Sequence, residues 1–283
     1  MAPAMDYYID IFQHCLNEAA TTCNIHNATI VDYGGGHGIL SMVAKELGWN
    51  KVIYIDIDPL AVEAAQTLAQ HIGIGADYFL LGDIQTLQQW SQEKGTPDYL
   101  LGMDVIEHIY NPQDFLDIAH KTGINKLLFT TASNPDNPFV CRRLHKAMTG
   151  DESGTNECPN FFTLRQQFII EHYPNMAPKE VDYWAKITRG LIFDDILSAI
   201  QTKSFVPIED PYNTCDPRTG SWTERILSID TYRNLFAQNG YSLTITNGWY
   251  NCNHILPKRV CAKILNRINC RSLAPFVILS AHL

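Results

Sequence analysis

The sequence lacks both a long hydrophobic run and an excess of basic residues. None of its apolar stretches approaches the roughly 18 residues of a transmembrane helix, so we expect no membrane span. Lys and Arg number 21 against 30 for Asp and Glu, which gives a formal charge of −9. Because nucleic-acid binding relies on a basic face that releases phosphate counterions, this balance argues against nucleic acid as the main partner.

We also expect neither a secretory leader nor a cysteine framework. The N-terminal segment MAPAMDYYIDIF has neither the positive region nor the apolar stretch of a signal peptide, so we expect a cytoplasmic protein. The eight cysteines form no Cys-x-x-Cys pair, which favours reduced thiols. Cys252, His254 and Cys261 are a conceivable zinc set, but their spacing matches no standard ligand pattern, and we predict no metal site.

Strand-like and helix-like segments alternate along most of the chain. The predicted strands fall at 28–36, 51–58, 78–81, 98–103, 126–131, 241–249 and 275–281, the first of them ending in a glycine turn. The predicted helices fall at 6–22, 38–47, 60–72, 86–94, 112–121, 229–239 and 257–268. This strict alternation predicts an α/β fold, a parallel sheet with helices on both faces.

Residues 134–221 break the alternation. They are rich in proline and aromatic residues, contain no strong apolar strand and show helical patterns at 140–148, 164–172, 179–187 and 194–202. We interpret them as a helical lid and substrate-binding insertion in a core domain formed by residues 1–133 and 222–283. The lid aromatics predict a core between its helices or, alternatively, the lining of an apolar pocket.

A glycine-rich turn follows the first strand, with the sequence Asp-Tyr-Gly-Gly-Gly-His-Gly at 32–38. Glycines allow positive φ and let a ligand approach where a Cβ would collide. The dinucleotide fingerprint Gly-x-Gly-x-x-Gly is not matched, because position 39 is Ile. An acid ahead of the glycines suits a ligand that is positively charged near the turn.

Acidic residues also end the next three strands. Asp56 closes the second strand, where an acid can accept hydrogen bonds from both hydroxyls of a ribose. Asp58 points the same way along the strand, or alternatively caps the following helix. Asp83 ends the third strand, and Asp104 begins the segment Asp-Val-Ile-Glu-His after the fourth. Because the carboxyl ends of parallel strands meet at one edge, we expect a single ligand site there.

This ordered set resembles the class I S-adenosylmethionine-dependent methyltransferases, and the wording DVIEHI at 104–109 resembles the subgroup related to ubiquinone-biosynthesis O-methyltransferases. The resemblance covers residues 28–131 and, more loosely, 229–283. It implies a Rossmann-like, seven-stranded, mostly parallel sheet whose last strand is inserted antiparallel. It also implies S-adenosylmethionine as the cofactor and S-adenosylhomocysteine as its product.

The resemblance further implies roles for the residues of this edge. Gly34, Gly36 and Gly38 would bracket the methionine portion of the cofactor. Asp32 would reach its amino group, Asp56 its ribose and Asp83 its adenine amine. The remaining predicted cofactor-binding residues are Ile57, Ile84 and Asp104.

Methyl transfer requires alignment of nucleophile, methyl carbon and sulfur, and a hydroxyl or ammonium acceptor must also lose a proton. Histidine titrates in the useful range, so the candidate catalytic residues are His108, His145 and His172. Alternatively, Glu107 and His108 only begin the helix after the fourth strand, and the two lid histidines lie at the surface or between helices.

The helix predicted at 257–268 carries Leu256, Val260, Ile264 and Ile268 on one stripe and basic residues elsewhere. We interpret this pattern as packing on the sheet with a basic outer face. The alternative is peripheral contact with a membrane or a lipid-linked substrate.

The sequence therefore predicts a methyltransferase acting on a small-molecule acceptor, with oxygen slightly favoured over nitrogen. Two alternatives remain: a nucleotide-dependent oxidoreductase on a similar sheet, and a non-catalytic cofactor-binding regulatory protein. The sequence does not indicate an oligomeric state.

Overall fold

The computed structural model describes residues 2–154, 160–253 and 256–283, with side chains from residue 5 onward. They form two compact units. The sheet unit comprises Met1–Ile106, Asn111–Asn134 and Ser228–Leu283. The helical unit comprises Glu107–Tyr110 and Pro135–Leu227. The role of the helical unit as a lid, and the domain boundaries predicted at 133 and 222, stay predictions.

The sheet has seven strands in the order β3-β2-β1-β4-β5-β7-β6. Their bounds are Thr29–Tyr33 (β1), Lys51–Asp56 (β2), Tyr78–Leu81 (β3), Tyr99–Met103 (β4), Lys126–Thr131 (β5), Ser242–Asn247 (β6) and Val277–His282 (β7). The first five strands pair in parallel, while β7 is antiparallel to both β5 and β6. The predicted α/β fold, a mostly parallel sheet with an antiparallel last strand, is confirmed.

Eleven α-helices accompany the strands within the described residues. Their bounds are Ala2–Ala20 (α1), Ile39–Glu46 (α2), Pro59–Ile72 (α3), Ile84–Lys94 (α4), Pro112–Lys121 (α5), Pro138–Ser153 (α6), Phe161–His172 (α7), Pro178–Ile187 (α8), Phe193–Thr202 (α9), Ile229–Gln238 (α10) and Lys258–Ile268 (α11). Helix α4 begins two residues before the predicted start at 86, because the Asp83 side chain caps it there. Two short 3₁₀ helices, Ile106–His108 and Arg271–Leu273, were not predicted.

The core of the sheet unit lies along its central strands. Every residue of Val52–Ile55 in β2 is buried, as are Leu100 and Leu101 in β4. Helix α1 covers this layer with Cys15, Leu16 and Ala19, none of which is exposed. Burial on both faces explains the near-continuous apolar strands of the sequence.

The helical unit has a core of its own between α7, α8 and α9. It is built from Ile169, Val181, Trp184, Ala185, Ile196 and Ile200. Of the aromatic residues of this region, Phe161 and Trp184 are buried, as the core interpretation predicts, while Tyr183 is 57% exposed. The apolar-pocket alternative stays a prediction. A buried guanidinium, that of Arg165, donates to the carboxylate of Glu152 in α6 and, at 2.7 Å, to the Ala185 carbonyl in α8.

Helix α11 differs from its predicted packing. Only Ala262 is buried in it, and Leu265 and Asn266 are half-buried. The predicted sheet-facing stripe is instead solvent-exposed, at 71% for Leu256, 45% for Val260, 53% for Ile264 and 54% for Ile268. The interpretation was wrong because the buried residue of this helix is a small alanine, and its isoleucines face solvent.

Candidate functional site

The glycine turn between β1 and α2 has a left-handed backbone at three positions. The φ angles are +66° at Gly34, +51° at Gly36 and +73° at Gly38. A Cβ at Gly34 would also lie 2.5 Å from Cγ2 of Val105. Only glycine adopts these angles without strain, so the turn explains the glycine pattern of the sequence.

The Gly36 peptide is fixed from both sides by β2. Its N–H donates to Oδ2 of Asp56 at 2.9 Å, and its carbonyl accepts from the Tyr54 hydroxyl at 2.6 Å. A Cβ built on Gly36 would have nothing within 4 Å among the described residues. The turn therefore presents a rigid backbone edge to open space, as a cradle for a ligand would.

Asp32 is buried beneath this turn. Its Oδ2 accepts from the Ser41 N–H at 3.0 Å and from the Ser41 hydroxyl at 2.6 Å. Burial raises the pKa of the carboxyl to about 6, against the opposing effect of the two Ser41 hydrogen bonds. Asp32 thus joins β1 to α2 and provides a buried acid behind the glycines.

Asp56 lies at the end of β2, half-buried, where it connects two backbone segments. Besides accepting from Gly36, it accepts from the Asp58 N–H at 2.9 Å through Oδ1. Asp58 itself caps α3 by accepting from the Leu60 N–H at 2.9 Å, so the structure shows the alternative role considered for it. Ile57 is 60% exposed and Leu60 70% exposed, so apolar surface lies open beside Asp56.

The two remaining acids sit at neighbouring strand ends. Asp83 caps α4, accepting from the N–H groups of Gln85 and Thr86 at 3.1 and 3.3 Å, and the adjacent Ile84 is buried. Asp104 is exposed and has a φ of +58°. Its Oδ1 accepts from the Ala132 N–H at 2.9 Å, which ties the end of β4 to the end of β5.

All nine predicted cofactor-binding residues belong to the sheet unit, and each lies at the end of β1, β2, β3 or β4 or in the segment that follows it. Their role in binding a cofactor stays a prediction. Sequence reasoning missed three residues that shape the turn: Ser41, Tyr54 and Val105. Tyr54 precedes Asp56 by two positions in the strand, so its side chain leans to the same face, a signal that could have indicated it.

The three candidate histidines belong to the helical unit. His108 has Nδ1 2.7 Å from the Trp222 carbonyl oxygen. Because a carbonyl oxygen only accepts, Nδ1 carries a hydrogen, and Nε2 of the neutral ring is then the nitrogen that takes up a proton. His172 makes the same kind of bond to the Phe168 carbonyl within α7, at 2.9 Å.

His145 stacks on Tyr212, with ring centroids 3.9 Å apart. The two side chains line a surface cleft of the helical unit together with Lys146, Thr149, Gly150 and Ser153. The structure therefore gives His145 an aromatic partner and His108 an oriented ring. The catalytic role of each histidine stays a prediction.

No group of three or more metal-binding side chains occurs among the residues that the structure describes. The seven described cysteines are free thiols, and Cys158 and His254 lie outside the described residues. No described helix combines the length and the hydropathy needed to cross a bilayer.

A family model described as a methyltransferase domain matches residues 6–167, more than half of the chain. The chain belongs to the methyltransferase domain family. The matched range includes β1 to β5 and thus all nine predicted cofactor-binding residues, which we call the strand-end site. It also extends through α6 into α7 of the helical unit.

Curated relatives match only a short stretch of this methyltransferase-family chain. The ribosomal protein L11 methyltransferase of Cupriavidus pinatubonensis is 50% identical over 52 residues, 18% of each chain. That of Chromobacterium violaceum is 46% identical over 54 residues, 19% of this chain and 18% of the relative. The match thus spans less than a fifth of the length of these relatives.

Solved structures match over nearly the whole chain at low identity. An S-adenosylmethionine-dependent methyltransferase from Mesorhizobium loti covers 94% of this chain and 95% of its own, with 12% identity and a TM-score of 0.47. Magnesium protoporphyrin IX methyltransferase from Synechocystis covers 97% and 83%, with 15% identity and a TM-score of 0.46. Neither likeness carries an argument about the activity of this chain.

Proposed function

We propose that the protein transfers the methyl group of S-adenosylmethionine to a small-molecule acceptor, with a hydroxyl oxygen as the favoured site. The observation that carries this proposal is the Gly36 cradle in a chain of the methyltransferase domain family: a fixed peptide with open space above its Cα. The cofactor supplies an activated methyl group on a sulfonium. The task left to the protein is to bind, align and deprotonate.

The residues present fit this cofactor. The glycine turn admits a methionine chain to within backbone contact, and the buried Asp32 carboxylate behind it favours a cationic ligand. Asp56 holds the turn with one oxygen at the end of β2. In the proposed function its carboxylate also accepts from the ribose hydroxyls. The exposed Ile57 offers an apolar surface for the adenine ring beside the Asp83 cap.

The preference for oxygen rests on the resemblance of residues 104–109 to the ubiquinone-biosynthesis-type O-methyltransferases, and a base is needed for either acceptor. A hydroxyl must lose its proton as it attacks, and Nε2 of His108 is the basic nitrogen of an imidazole held by the Trp222 carbonyl. We propose His108 as the general base, ahead of His145 and His172.

A transfer assay with methyl-labelled S-adenosylmethionine tests the proposal. Acceptor pools of phenols, other alcohols and small amines are supplied separately to the wild-type protein and to His108→Ala. We expect label in the hydroxyl compounds, and a rate about a hundredfold lower in the variant with unchanged cofactor affinity. Label in the amines alone would overturn the oxygen assignment, and an unaffected rate in His108→Ala would remove the histidine from the mechanism.

A protein acceptor is the second candidate, favoured by the local identity to ribosomal protein L11 methyltransferases. Label that appears only in a protein fraction would support it. Binding of the cofactor without transfer to any acceptor would instead favour a regulatory protein. Binding of a nicotinamide cofactor in its place would favour the oxidoreductase.

A further inference from the structure

Helix α11 carries two parallel rows of exposed side chains. Arg259, Lys263 and Arg267 form a basic row at four-residue spacing, and all three are exposed. Val260, Ile264 and Ile268 form an apolar row immediately beside it, 45–54% exposed, and Leu256, which precedes the helix, is 71% exposed. Four-residue spacing places side chains along one line of a helix surface, so the rows run side by side for about 12 Å.

The charged side chains of the C-terminal segment that contains this helix all have one sign. Residues 231–283 contain no Asp or Glu, whereas six Lys and Arg residues occur there in a chain of net charge −9. Among the described residues, no carboxylate lies within 4.0 Å of the charged groups of Arg259, Lys263 or Arg267. The basic row is therefore available to an anionic partner that also accepts apolar side chains.

We propose that α11 docks the protein onto an anionic phospholipid surface. The basic row would lie among the phosphate headgroups, and the apolar row would enter the boundary with the acyl chains. Ala262, opposite the apolar row, is buried. Asn266 accepts from the Tyr250 N–H at 2.7 Å and donates to the Tyr250 carbonyl at 3.0 Å, so the helix is already anchored and does not need to fold on binding.

A second copy of the chain fits this surface less well. The helix face measures about 16 by 10 Å, whereas a stable interface buries about 800 Å² on each partner. A two-fold contact would also bring the two basic rows against each other. A nucleic acid would meet the cations but leave the isoleucines in water.

Vesicle co-sedimentation with the full chain tests the proposal, without any methyl donor present. We expect binding to vesicles of equal parts phosphatidylcholine and phosphatidylglycerol, at least tenfold weaker binding to phosphatidylcholine alone, and a marked loss between about 50 and 500 mM salt. The double variant Ile264→Ser/Ile268→Ser should lose about tenfold or more in partitioning. In Lys263→Glu/Arg267→Glu, the partition coefficient onto the vesicles should fall at least about fivefold for each residue changed.

Two single variants elsewhere on the sheet unit serve as controls. Ile72→Ser changes an isoleucine with the same 54% exposure as Ile268, and Lys94→Glu reverses an exposed charge in the last turn of α4. Both should bind vesicles as the wild type does, and circular dichroism should show native folding throughout. Absence of vesicle binding, or unchanged binding in either double variant, would overturn the proposal. So would a dimer in sedimentation velocity that Ile264→Ser/Ile268→Ser abolishes, because a second copy would then cover the face.

Discussion

Replacing Gly36 by alanine separates ligand contact from backbone strain. The added methyl group would meet nothing within 4 Å among the described residues, so the cost to folding is that of a non-glycine residue at a φ of +51°. That cost is about 1–2 kcal/mol. Gly73, the αL residue that ends α3, is a matched control, because its φ is +79° and its Cβ would also meet nothing within 4 Å.

Both variants should therefore lose similar stability in chemical denaturation, about 1–2 kcal/mol. They should differ in S-adenosylmethionine binding. If the cofactor lies against the Gly36 Cα, a methyl group there overpacks the contact by about 1–3 kcal/mol, which raises the Kd about 5- to 150-fold in calorimetric titration. Gly73→Ala should keep the wild-type Kd. A wild-type Kd in Gly36→Ala as well would refute the assignment of this space to the cofactor.

Three further predictions concern buried or connecting acids. Asp56→Ala should weaken S-adenosylmethionine binding by about 2–4 kcal/mol in calorimetry, because charged hydrogen bonds are lost. Asp58→Ala should leave the Kd unchanged and lower the free energy of unfolding by about 1 kcal/mol, because α3 loses its cap. If Asp56→Ala and Asp58→Ala changed the Kd equally, the assignment of Asp56 to the ribose would be contradicted. The pKa of Asp32 is raised to about 6 from 3.8, so the folded state binds the proton of this carboxyl more tightly than the unfolded chain does. The free energy of unfolding should therefore fall by up to about 3 kcal/mol as the pH rises from about 4 to about 6. Asp32→Asn should flatten this decline, and an identical pH profile in the variant would disprove the cause. Glu152→Ala should destabilise the helical unit by about 3–5 kcal/mol in urea denaturation, because the buried Arg165 guanidinium loses its carboxylate partner. The double variant Glu152→Ala/Arg165→Met should recover part of this stability, because it removes the unpaired buried charge. If the double variant is no more stable than Glu152→Ala, the unpaired charge is not the cause of the loss.

The sheet was predictable because its sequence signals are local. Strands such as Lys51–Asp56 are apolar runs that end in an acid, and the glycine turn marks the transition to α2. The antiparallel insertion of β7 between β5 and β6 is a non-local pairing, and only the family resemblance implied it. Periodicity alone could not have placed that strand.

Sequence patterns do not determine which face of a helix packs against the rest of the protein. Helix α11 has a well-defined apolar stripe, yet its buried contact is made through Ala262, so the predicted packing was wrong. Hydrogen bonds across the chain were also beyond prediction. The Tyr54 hydroxyl reaches the Gly36 carbonyl, and Ser41 reaches Asp32, through geometry that exists only once the turn is formed.

The most direct test of the central claim is calorimetric titration of the wild-type protein with S-adenosylmethionine, S-adenosylhomocysteine and NADH in parallel. The strand-end site predicts binding of both sulfur compounds, with a Kd on the order of micromolar, and no heat with NADH. Binding of NADH alone would contradict the account, because the glycine turn would then hold a pyrophosphate and the protein would be an oxidoreductase.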